Sequence, residues 1–94
     1  MKVRFLAQAY ADLSATIEHI ARNHPVAAEA LSSRVMRIVE QLAAGEFDGP
    51  EQRLRSGKLV RSWPVPPLRI YYQRRADAFV VLRVYHHARR PLVR

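Results

Sequence analysis

Apolar residues alternate with polar ones at both ends of the chain and recur every three or four residues between them. Lys2 to Leu6 alternates, with Val3 and Phe5 on one side and Arg4 on the other, which predicts a short strand. Tyr10, Leu13, Ile17 and Ile20 follow at helical spacing and form one stripe of an amphipathic helix. That helix is expected to stop at Asn23-His24-Pro25. Proline disfavours helical backbone in the residue before it and suits the first turn of a new helix. A second stripe, Ala28, Leu31, Val35, Ile38 and Leu42, is widened by Ala27 and Val39. It predicts a helix from near Pro25, capped at Gly45. Two matching stripes with a short link make a helical hairpin.

The pattern then changes. Residues 46–58 are rich in glycine and charge and read as a loop, with Phe47 and Leu54 as its anchors to the core. Three runs of strand character follow: Leu59–Trp63, Leu68–Arg74 and Ala78–His86. Pro64, Pro66 and Pro67 are expected to end the first run, at an edge of the sheet. The third run is the most apolar and belongs at the centre. Alternation assigns Val80, Leu82 and Val84 to the helices, and Phe79, Val81, Arg83 and Tyr85 to the opposite face. With Ile70 under the helices, Arg69 and Tyr71 join that opposite face, and Leu59, Arg61 and Trp63 are assigned there too. The expected fold is α+β, one domain over residues 1–94. A short N-terminal strand precedes a two-helix hairpin packed on one face of an antiparallel sheet of three C-terminal strands.

Charge sharpens the picture. The net charge is +8, and it is unevenly placed. Residues 1–51 hold five Lys/Arg and seven Asp/Glu, whereas residues 52–94 hold eleven Lys/Arg and one acid, Asp77. A field of that sign on one end of a domain attracts polyanions, either nucleic acid or an acidic protein segment. No cysteine is present, which excludes disulfides and thiolate metal sites. No apolar run approaches the ~18 residues of a membrane span, and the N-terminus lacks a signal-peptide pattern. A cytoplasmic protein without membrane contact fits. No metal or cofactor spacing is visible, and His19 and His24 read as surface residues.

The residues now carry a resemblance. AYADLSATIEHIARNHPVAAEAL, the RIYY strand and the VLRVYHHARRPL ending resemble the RelE/ParE toxin superfamily of bacterial type II toxin–antitoxin modules. Asp12-Leu13 after an alanine, and the Asn23 to Ala28 pattern, place the resemblance on the ParE-like branch. It implies a cognate ParD-like antitoxin that lays an acidic or amphipathic segment over the toxin. It also implies that operator DNA is met only through the antitoxin.

Two toxic activities follow from the resemblance. ParE-like proteins poison DNA gyrase by binding, which needs no catalytic constellation and no cofactor. The contact residues expected for target or antitoxin are Arg61, Trp63, Arg69, Tyr71, Arg83, Tyr85, Arg89 and Arg90. The alternative is a RelE-like, metal-independent endonuclease that cleaves mRNA on the ribosome. Attack of a ribose 2′-hydroxyl on phosphate needs a base, an acid and cations around the phosphate. By the resemblance, Arg69 and either Arg89 or Arg90 would hold the phosphate through planar, bidentate contacts. His86 or His87 would move protons near neutral pH, with Tyr85 assisting. The run Leu59–Trp63 lacks the lysines of RelE-type enzymes, and the tail Pro91-Leu92-Val93-Arg94 has no tyrosine. Gyrase inhibition is therefore favoured. Arg69 paired with Asp12, Glu18 or a loop acid, Trp63 in the core, and Tyr85-His86-His87 as a plain strand end remain alternatives. A third class is a bare nucleic-acid-binding module, with Tyr71 and Tyr85 stacking on bases.

Overall fold

The structure is a computed structural model and describes residues 1–86. His87, Arg89 and Arg90 lie outside the described residues. The elements run β1 (Lys2–Phe5), α1 (Ala7–Ala21), α2 (Pro25–Ala43), β2 (Glu51–Arg53), β3 (Leu59–Val65), β4 (Leu68–Arg74) and β5 (Ala78–His86).

The helical hairpin forms where the stripes place it. On α2, Ala28, Leu31, Val35, Val39 and Leu42 are buried, with Ile38 packed beside them. Burying a Leu or Val side chain contributes about 1.5–3 kcal/mol, so this stripe anchors the helix. Pro25 opens α2, and Gly45 ends it at φ 80°. The N–H of Gly45 donates to the Leu42 carbonyl and that of Glu46 to the Gln41 carbonyl, a Schellman closure. On α1 the core-facing line is Ala9, which is buried, with Leu13, Ile17 and Ile20 half-buried against the core. Tyr10 does not belong to it: the ring is 66% exposed, on the outer side of the hairpin.

The sheet has five strands in the order β1-β5-β4-β3-β2. It is larger than three strands and is not purely antiparallel. β1 pairs parallel to the first half of β5, from Lys2 opposite Ala78 to Phe5 opposite Val81. β2 is cut from the predicted loop and pairs with Leu59–Arg61. The middle strand is β4; β5, expected there from its apolar content, lies beside it and is flanked on its other side by β1 only along its first half. β3 continues past Pro64, which pairs with Arg69. Ser62 donates its N–H outward to the Pro50 carbonyl. Pro64, two residues on, points its nitrogen to the same edge, where no strand follows and no ladder bond is lost.

Both helices cover one face of this sheet. Val65, Leu68, Ile70, Tyr72, Phe79, Val81 and Val84 meet the helix stripes in the main core. A smaller cluster on the other face holds Val60, Tyr71, Ala78, Val80 and Leu82. The strict alternation expected for β5 is therefore corrected: Phe79 and Val81 face the helices, while Val80 and Leu82 face away. Tyr71 pairs with Arg83 but Tyr72 pairs with Val81, so Leu82 is a bulge. One extra residue resets the alternation, and Val84, Arg83 and Tyr85 return to the faces expected for them.

Candidate functional site

The face away from the helices, the open face, is set by register. In β4, Arg69, Tyr71 and Gln73 point there, because Ile70 and Tyr72 are committed to the main core. Arg69 lies opposite Tyr85, and Tyr71 opposite Arg83. The Tyr71 and Tyr85 rings meet edge-on at 5.7 Å, and the Arg83 guanidinium lies 4.7 Å from the Tyr85 ring centroid. Four of the expected contact residues thus form one patch. β1 adds Lys2 and Arg4, which pair with Ala78 and Val80 and share their face. Among the described residues, no strand position on this face carries a carboxylate. The acids lie on the helices, the helix side of the sheet and the connecting loops.

Arg69 donates to the Ser62 hydroxyl at 2.8 Å, not to Asp12, Glu18 or a loop acid. Arg83 is the arginine that finds Asp12. Its Nε and Nη2 donate to the two carboxylate oxygens at 2.8 and 3.1 Å. The same carboxylate accepts the Val84 N–H at 3.0 Å. β1 ends at Phe5, so the second half of β5 meets α1, not a strand, and Asp12 supplies an acceptor there. The carboxylate bond raises the Arg83 pKa above its ordinary value, against partial desolvation. Burial likewise pushes the Tyr71 hydroxyl up, against the opposing charge of Arg69.

Arg61 and Trp63 do not join this patch. They pair with Tyr72 and Ile70 and point to the helix side, as does Leu59 one step earlier. Trp63 packs on the main core, its ring 4.5 Å from that of Phe47. Arg61 donates to the Gly49 carbonyl at 2.7 Å and lies 3.4 Å from Asp48. Asp48 is the hub of the loop: it accepts a hydrogen bond from the Tyr72 hydroxyl and pairs with Arg74 at 3.4 Å. Arg74 also donates to the Leu42 carbonyl in the last turn of α2, where a cation complements the helix dipole. Burial pushes the Asp48 carboxyl up, but the Tyr72 bond and the Arg74 and Arg61 charges outweigh it and hold it below the ordinary value. This cluster fixes the loop to the sheet.

His86 lies opposite Leu68, on the helix side. It borders a cleft with Asp12, Thr16 and His19 of α1. Of the groups assigned to an endonuclease, Arg69 and Tyr85 lie on the open face and His86 on the other, while His87 and Arg89 lie outside the described residues. His19 and His24 are exposed. Among the described residues, no group of three or more His, Asp or Glu is placed to hold a metal ion. No described helix is long and apolar enough to cross a membrane.

The fold, a helical hairpin on one face of a mixed five-stranded sheet, matches a solved structure. The solved structure titled "Chromosomal ParDE TA system from P. aeruginosa" matches with a TM-score of 0.74 at 20% identity. The match covers 92% of this chain and 95% of that one. The family model described as "ParE toxin of type II toxin-antitoxin system, parDE" matches residues 3–91. The chain belongs to the ParE toxin family of type II toxin–antitoxin systems. A search of curated proteins gave no match.

Proposed function

We propose that this protein is the toxin of a ParDE-type module that poisons DNA gyrase and is neutralised by a cognate antitoxin. Family membership over residues 3–91 carries the reading. The open face supports the partner: it bears Lys2, Arg4, Arg69 and Arg83 and no acid among its described strand positions. An acidic antitoxin segment gains Coulomb attraction on that face and is repelled by none of it. Inhibition by binding asks only for such a surface. The mRNA endonuclease is the second reading, disfavoured by the ParE family match and by the missing lysines of the Leu59–Trp63 strand.

The test is a supercoiling assay with purified gyrase, the toxin, and the antitoxin encoded beside it. Loss of supercoiling or trapped cleavage complexes, reversed by antitoxin, is the expected result. Unaffected gyrase at toxin concentrations that still arrest growth overturns the gyrase target and turns attention to mRNA 5′ ends at ribosomes.

A further inference from the structure

The open face is not flat. The turn between β2 and β3 rises at one side of it, and the β1–α1 corner at the other. Between them lies a cleft of about 180 Å³. Leu82 and Tyr71 form its floor, with Leu54 on one wall and Leu6 on the other. Three features make it more than a surface dip. Leu82 is the bulged residue of β5: it shares the face of Val80 by alternation, and the change of phase after it brings Arg83 to the same face. Leu54 is held over the face because its N–H donates to the Lys58 carbonyl at 2.8 Å, closing the turn. The rim carries Lys58 and Arg83 and no carboxylate.

We propose that this cleft is the anchor site of the antitoxin: one large aliphatic or aromatic side chain of an acidic segment fills it. The inference rests on the toxin–antitoxin reading above and names the chemistry of that contact. An apolar cavity of roughly 150 Å³ holds a benzene ring, so the volume suits a single bulky side chain. Charge selects what surrounds it. Arg83 is already paired with Asp12, but Lys58 has no carboxylate within ion-pair distance among the described residues. A peptide with acids flanking its apolar anchor satisfies both floor and rim. The apolar groove on the other side of the molecule, lined by Tyr10, Leu13, Ile17 and Met36, lacks such a rim: its one charged lining residue is Glu18.

The experiment measures affinity of the full antitoxin for toxin variants by calorimetry. Gln8 is exposed and lines the cleft, so Gln8→Trp fills it without entering the main core. Lys58→Glu reverses the rim charge. Gln8→Trp is expected to weaken binding at least tenfold and Lys58→Glu several-fold, with melting temperatures near that of the parent. Tyr10→Ala and Met36→Ala, on the other groove, are expected to bind as the parent does. Parent-like binding by Gln8→Trp overturns the anchor site, and so does weakened binding confined to the Tyr10 and Met36 variants. Failure of the parent toxin to bind its neighbouring antitoxin overturns the toxin–antitoxin reading itself.

Discussion

Asp12 and Arg83, 71 residues apart in the chain, meet through two hydrogen bonds of 2.8 and 3.1 Å. The pair ties α1 to the half of β5 that β1 leaves uncovered and fixes Arg83 beside Tyr85 on the open face. Asp12 also takes the Val84 N–H. Asp12→Ala removes all three bonds and leaves partly buried donors without an acceptor. A loss of about 2–4 kcal/mol is expected, read from urea unfolding. Arg83→Met, which removes the charge but leaves the Val84 bond, is expected to cost less.

Gly49 admits no side chain. A Cβ there would sit 1.8 Å from the Ser62 carbonyl oxygen, a backbone atom that cannot swing away. Gly49→Ala forces the loop off β3 and breaks the Tyr72 contact with it. A destabilisation of roughly 1–3 kcal/mol is expected from this overpacking, with a lower melting temperature as the readout.

Tyr72 accepts the Gly49 N–H at 2.8 Å and donates to Asp48. Burial and the Asp48 bond push its pKa above the ordinary 10.0 to about 12. The folded state therefore keeps a proton that the unfolded chain releases, and stability is expected to fall as pH rises from about 10 to 12. Tyr72→Phe is expected to remove that alkaline step and to cost about 1 kcal/mol at neutral pH, because Asp48 loses the hydroxyl donor and the Gly49 N–H keeps only its bond to Asp48 at 3.1 Å. Unfolding curves at pH 7 and pH 11 check both.

Asp48 behaves in the opposite sense. Its carboxyl is held below the ordinary 3.8, so its contribution is complete above that value and is lost as pH falls through the lower, folded value. Asp48→Asn is expected to flatten the acid limb of a stability–pH profile and to lower stability at pH 7.

Tyr10 is the counter-case. Although it falls on the helix stripe, it is 66% exposed. Tyr10→Ser is expected to change stability by no more than about 0.5 kcal/mol, whereas Leu13→Ala one turn on is expected to cost clearly more.

The sequence by itself determined the elements other than β2 and the far end of β3. The ends of β4 and β5, the stop between the helices and the span of α2 could be read from periodicity, from Pro25 and from Gly45, because backbone geometry is local and these residues restrict it locally. Family resemblance was legible in the same stretches. What only the tertiary structure decided was which side chains share a face. Strict alternation misassigned Phe79, Val80, Val81 and Leu82, because a bulge at Leu82 needs no glycine or proline and leaves no mark in the residue pattern. Arg61 and Trp63 were misassigned because the register of β3 against β4 depends on the pairing, not on β3 itself. Asp12 and Asp48 found their arginines across the fold, and β2 emerged from a loop only because β3 offered it an edge. Pairing partners distant in sequence fix all of these, and local pattern does not encode the choice among several arginines or two faces.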